Sequence, residues 1–146
     1  MTDTKRILEL ADHLESQVPW SQFEMSCFIQ SPTVLDPTRV PLSRMQNECG
    51  TAACIAGWAV LLFGEPSKSV VEMAKEAGLR HLDIDLLATY LLVGTDFYRP
   101  LDRLFYNFRD IKSPQDAARR LRTLAWEMEH GVVSPPVKMR QWRVEA

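Results

Sequence analysis

The longest apolar run, the 12 residues from Ala52 to Phe63, most constrains what this chain can become. A membrane-spanning helix needs about 20 apolar residues, so this run must be buried by the rest of its own chain. Thr51 offers an N-cap hydroxyl and Gly64 a C-terminal stop, which predicts a helix over 51–63. Because it is apolar nearly all round, that helix belongs at the centre of the fold. Ala53, Ala56 and Gly57 leave one side without bulk, so a neighbouring helix is expected to approach closely there.

The remaining segments repeat apolar residues at helical spacing. Ile7, Leu10, Ala11 and Leu14 form one stripe over 4–17, with a stop before Pro19. Val70, Val71, Ala74 and Ala77 mark a helix over 67–77 ended by Gly78, and Ile84, Leu87, Ala88 and Leu91 mark another over 83–93. Thr95 or Asp96 caps a short helix with Pro100 in its first turn and Leu101, Leu104, Phe105 and Phe108 facing inward. The best-punctuated helix is 113–130: Ser113 at the N-cap, Pro114 at the first position, Asp116 approximating a capping box, and Gly131 at the end. Its inner stripe is Ala117, Leu121, Leu124, Ala125 and Met128. There is no repeat and no alternating strand–helix rhythm. The expected fold is all-α: a single domain, 1–146, of about five to six helices around the central apolar one. Pro32, Pro37 and Pro41 make 31–48 a loop and a candidate flexible flap. The segment 132–146, with Pro135, Pro136 and Trp142, reads as a short strand or extended arm.

With 46% hydrophobic and 25% charged residues in 146, the chain matches a globular domain and not a disordered one. Three cysteines argue against a disulfide framework and for a reducing cytoplasm, and the first residues open no secretory signal. A net charge of −2 gives no global attraction to nucleic acid or anionic lipid. The charge is uneven, however. Residues 1–98 carry 7 Lys/Arg against 13 Asp/Glu, whereas 99–146 carry 10 against 6.

Cys49-Gly-Thr-Ala-Ala-Cys-Ile-Ala-Gly-Trp58 is the segment that looks like more than packing. A thiol just before a helix start feels the positive end of the dipole and free backbone N–H groups, which favour the thiolate. Over about twenty residues the segment resembles the nucleophile region of papain-like and bacteriocin-processing thiol peptidases. Cys49, Gly50 and Ala52 match that motif, and the resemblance implies Gln46 as an oxyanion-hole candidate. Those peptidases take their histidine from a β-sheet, whereas His81 and His130 lie in helical contexts here. Cys49 and Cys54 are also weak candidates for zinc with His81 or His130, though on one helix they would point about 140° apart. The plain alternative is that Cys54 is a small buried hydrophobe and Cys49 a loop residue packed on its helix.

Most of the chain resembles a group of small, uncharacterised bacterial and bacteriophage proteins. The matching residues are Phe23 and Met25, then Cys49, Gly50, Thr51, Cys54 and Gly57, then Leu104, Phe105 and Tyr106, then Ala117, Ala118 and Leu121. That resemblance implies a fold and a prokaryotic or phage setting, and no catalytic residue.

The Arg-rich final third supplies the candidate binding residues Arg103, Arg119, Arg120 and Arg122, with Trp142 in the tail. Aromatics interleave with arginines over 97–109, the composition of a single-strand nucleic-acid platform. Yet the aromatics fall at core spacing, and Asp102, Asp110 and Asp116 sit among the arginines, so an ion-paired solvated face accounts for the same pattern. His13 falls on the polar side of the first helix. The expected function is a non-enzymatic helical protein-interaction module, an accessory or counter-defence factor of a phage or mobile element. Its partner is expected to be a protein with acidic character, with no nucleic acid, membrane or cofactor. The competing expectation is a thiol-dependent enzyme centred on Cys49 with Gln46.

Overall fold

The computed structural model describes residues 4–25, 28–46, 51–79 and 84–137. Among these, seven α-helices carry the fold, which is mostly helical as expected; the count exceeds the expected five to six because the short α2 forms inside 31–48, where the prolines predicted loop. They are α1 (Lys5–Gln17), α2 (Ser43–Gln46), α3 (Ile55–Phe63), α4 (Val70–Glu76), α5 (Ile84–Val93), α6 (Arg99–Phe105) and α7 (Pro114–Glu129). A two-stranded antiparallel sheet joins β1 (Ile29–Gln30) to β2 (Ala52–Ala53). Two helix pairs dominate the packing, α1 against α7 and α3 against α5. Further contacts of α1 with α3 and α5 merge the pairs into one core, and α6 packs beside α3, α5 and α7.

The amphipathic helices form where the sequence places them. Ile7, Leu10, Ala11 and Leu14 are fully buried, and so are Ala117, Ala118 and Leu121 across from them. In α7 the Ser113 hydroxyl accepts from the Asp116 N–H at 3.0 Å, but the Asp116 carboxylate accepts from the Lys112 N–H instead of closing the box on Ser113. The complete capping box is on α4, where Ser69 and Glu72 satisfy each other's backbone N–H groups. Both helices end as their glycines imply. Gly78 and Gly131 take φ values of 74° and 71°, and the Leu79 and Val132 N–H groups reach back to the Ala74 and Glu127 carbonyls at 3.0 and 2.8 Å.

The central helix ends at Phe63 with Gly64 as its C-cap, as expected, but differs from expectation at its start. It begins at Ile55 with Cys54 as its N-cap, the thiol accepting from the Gly57 N–H at 3.5 Å. Thr51 is not the cap; it precedes β2, where Ala53 pairs with Ile29 and bridges to Phe23. The loops on either side need partners for their backbone groups, and two-residue strands supply them at little cost in length. The close approach at Gly57 is also not by a helix. A Cβ there would lie 1.6 Å from the Phe28 carbonyl oxygen, so the backbone entering β1 rests directly on α3. Gly64 has an ordinary negative φ and is needed for space, since its Cβ would fall 2.4 Å from Leu42 Cδ1.

That contact shows what holds the Pro-rich stretch. The Leu42 and Ser43 N–H groups donate to the Lys68 and Pro66 carbonyls at 3.0 Å, and Leu42 and Met45 are buried. The flap expected over 31–48 is therefore anchored from Pro37 onward among its described residues, by a 3₁₀ turn (Pro37–Arg39) and α2. Phe108, expected inside, is about half exposed because α6 ends at Phe105 and the helical stripe does not extend to it. Beyond α7 the described arm has no strand. Pro136 is buried, and the Tyr98 hydroxyl ties the arm down by donating to the Ser134 carbonyl at 2.6 Å. No helix among the described residues is long and apolar enough to cross a membrane.

Candidate functional site

Helix α7 turns two stripes outward and inward in opposite directions. Opposite the buried Leu121, the residues Gln115, Arg119, Arg122 and Trp126 recur at i, i+4, i+7 and i+11, which places them on one helical face. With Glu15 of α1 and Thr123 they line an open concavity of about 550 Å³. Trp126 is 55% exposed, and its ring stacks on His130 at 4.2 Å and 18°. His130 is itself the C-cap of α7, with Nδ1 2.8 Å from the Trp126 carbonyl oxygen. A flat, half-exposed indole held by a neighbouring ring costs little side-chain entropy to present.

The arginines of this face are already paired. Arg122 donates to both Glu15 carboxylate oxygens at 2.9 and 3.0 Å and to Asp12 Oδ1 at 2.9 Å, which clamps α7 to α1. Those hydrogen bonds hold the Glu15 carboxyl below the usual range and push the Arg122 guanidinium still higher. Arg119 donates to Asp116 Oδ1 at 2.8 Å, and Arg120 lies 3.6 Å from Asp110. The Asp116 carboxyl is lowered first by the Lys112 N–H, with Ser113 and Arg119 adding to the effect. Arg119 and Arg122 thus meet at the concavity. Arg120 and Arg103 do not line it: Arg120 pairs elsewhere, and Arg103 is an exposed residue of α6. Trp142 lies outside the described residues.

A second, smaller concavity of about 240 Å³ is lined by His13, Gln46, Trp58, Leu61 and Leu62. His13 is half-buried against the Trp58 ring at 5.7 Å, so it is not a bare residue of the polar face. Burial pushes the imidazole pKa down, favouring the neutral ring. The Trp58 indole N–H donates to the Gln22 carbonyl at 2.9 Å. The Gln46 amide donates to the Leu61 carbonyl at 2.6 Å. Gln46 thus shares a hollow with a histidine that sequence spacing does not associate with it.

Cys49, Gly50 and His81 lie outside the described residues. Cys54 is a buried cap with Sγ 3.9 Å from the Phe28 carbonyl oxygen, as its reading as a small hydrophobe implies. Among the described residues no three His, Cys, Asp or Glu side chains gather as a metal site would require. The Thr51 hydroxyl is buried, with no hydrogen-bond partner among the described residues.

Trp126 was missed by reading the sequence, although its signal is present: a tryptophan on the polar stripe of an amphipathic helix. The Arg122 clamp also has a trace, in Asp12 and Glu15 spaced i, i+3 on α1. The His13–Gln46–Trp58 hollow has none, because three separate segments meet there. Comparison of the chain with protein-family models, with curated proteins and with solved structures returns no match.

Proposed function

We propose that this chain is a non-enzymatic helical protein-interaction module that docks its partner on the α1–α7 face. The observation that carries the reading is Trp126, exposed in a concavity beside Arg119 and Arg122. Tryptophan and arginine are the residue types that most often dominate binding energy at interfaces, particularly when clustered in a hollow that a partner can dry. Arg119 uses one of its five N–H donors on Asp116 and so retains capacity for an acidic group of a partner. The partner is a protein with a carboxylate-bearing segment. Resemblance to phage and bacterial proteins supports the further reading that the module is an accessory or counter-defence factor of a phage or mobile element.

The test uses Trp126→Ala and Arg119→Glu, leaving the Arg122 clamp intact. Proteins retained from bacterial lysate and cross-linked to the wild-type chain at the α1–α7 face are expected to be lost from both variants, with unchanged thermal unfolding. Retrieval of the same proteins, cross-linked at the same positions, by all three chains overturns the reading.

A second reading, thiol chemistry at Cys49, is favoured by one observation: Gln46 and His13 line the same hollow. The lowered pKa of His13 works against it, since an imidazolium is what would stabilise a thiolate. Alkylation of Cys49 in wild type and His13→Ala separates the cases. Rapid labelling that slows in the variant supports thiol chemistry, and equal, slow labelling removes it.

A further inference from the structure

Between β1 and the 3₁₀ turn that begins at Pro37, the chain runs through 31–36 with no helix or strand of its own. In that stretch stands Leu35, wholly exposed and more so than any other large hydrophobic among the described residues. The backbone there is as open as the side chain. Among the described residues nothing accepts from the Leu35 or Asp36 N–H groups. Asp36 already has extended dihedrals, φ −125° and ψ 92°, which the following Pro37 favours. Its carboxylate is drawn into the 37–39 turn, accepting from the Thr38 N–H and hydroxyl at 3.1 and 2.6 Å and lying 3.2 Å from Arg39 Nε.

These are the conditions under which an endoprotease accepts a folded chain. It takes its substrate as an extended strand paired through free backbone groups, with a pocket for the side chain that precedes the cut. Pro32 and Pro37 lack the N–H that would follow a cut at Ser31 or Asp36, and Val34 is half-buried, so Leu35–Asp36 is the bond best presented. The exposed aromatic side chains do not share these conditions. Trp126 lies inside α7 and Trp20 inside a 3₁₀ turn (Trp20–Gln22). The Phe108 N–H donates to the Tyr106 carbonyl at 3.0 Å, and Phe97 is followed by the buried Tyr98.

We infer that Leu35–Asp36 is a processing site for an endoprotease whose pocket takes leucine, and that the product is a two-chain form of the same fold. Water is the co-reactant: the C–N bond breaks, Leu35 keeps a carboxylate and Asp36 gains an ammonium. Both new ends remain tethered. Upstream, Ile29 and Gln30 pair with Ala53 and Ala52; downstream, the Leu42 and Ser43 N–H groups hold the Lys68 and Pro66 carbonyls. The piece 1–35 also keeps α1, with Ile7, Leu10, Ala11 and Leu14 fully buried and Asp12 and Glu15 clamped by Arg122.

The test digests the native full chain with dilute chymotrypsin, which cuts after leucine and aromatic residues, and follows the products by mass. A fragment beginning at Asp36 is expected before any cut at Trp20, Phe97, Phe108 or Trp126. Urea well short of the unfolding transition is expected to leave its rate unchanged, because the bond is open in the folded chain. Leu35→Lys removes the side chain that fills the pocket and is expected to slow this cut by roughly tenfold or more, with the unfolding temperature retained. On gel filtration the pieces 1–35 and 36–146 are expected to run together. A Leu35–Asp36 bond cut only as the chain unfolds, or cut as fast in Leu35→Lys, overturns the site. Pieces that separate in native buffer overturn the two-chain product.

Discussion

The α1–α7 pair and the α3–β2 region solve the same problem of burial in opposite ways. In α1 and α7 one face is wet, so the choice of buried face is written in the spacing of Ile7, Leu10, Leu14, Leu121 and Leu124. In α3 nearly every residue is apolar and buried, from Ile55 to Leu61, so periodicity selects no face. There the choice is made by size, at the residues that have no side chain to spare. Amphipathic helices are positioned by solvent, apolar ones by their neighbours.

The sharpest way to break this comparison is at Gly57. Gly57→Ala places a methyl on the Phe28 carbonyl, and because that carbonyl belongs to the backbone the chain cannot yield cheaply. A loss above about 3 kcal/mol by urea denaturation, or failure to fold, is expected, as for severe overpacking. Gly131→Ala meets no atom within 4 Å and pays only for its positive φ of 71°, about 1 kcal/mol. Equal losses at the two positions would mean that size does not position α3.

Next in magnitude is the wet-faced pair. Leu121→Ala empties a fully buried site and is expected to cost roughly 2–5 kcal/mol, whereas Leu8→Ala, on the exposed side of α1, stays within about 0.5 kcal/mol. A similar cost for both by the same denaturation would contradict the stripe assignment.

The caps give a smaller contrast. Ser113→Ala removes an oxygen that accepts at 3.0 Å and is expected to cost about 1 kcal/mol. Cys54→Ser keeps an acceptor at a cap now served by sulfur at 3.5 Å, and helix formation is expected to be unchanged by circular dichroism.

The smallest effect is electrostatic. Arg122 lowers the Glu15 carboxyl in the folded chain, so its contribution is fully present above the unfolded carboxylate range and is lost as pH falls from there through the lowered folded value. Arg122→Gln is therefore expected to lower stability slightly at neutral pH and to flatten the acid limb of the stability–pH profile below about pH 4.5, where the two chains converge. An unchanged acid limb would show that the clamp holds no differential charge.

These contrasts mark how much was legible in the residues. Helices α1, α4, α5 and α7 are readable because their caps and stripes are local: Ser69, Ser113, Gly78 and Gly131 each act within one turn. The start of α3 is not, since Thr51 and Cys54 are both plausible caps by type and only pairing of Ala53 with Ile29 and Phe23 excludes the first. The arginines of α7 are visible as a basic cluster, but their pairing with Asp12, Glu15, Asp110 and Asp116 joins residues far apart in the chain as well as near neighbours. Trp126 stands between the two cases, since its outward face follows from spacing while the hollow beside it needs α1.

By itself the sequence determined that this protein is helical, that its most apolar helix is internal, and which faces of α1 and α7 are buried. Those follow from periodicity and capping, which act over one to four residues. Only the tertiary structure decided that the backbone entering β1, and not a helix, presses on Gly57, that the Pro-rich stretch is pinned through Leu42, and that Arg122 pairs with α1 as well as lining the Trp126 face. Each of these joins segments remote in sequence, where contact is set by shape and by backbone groups that every residue carries alike.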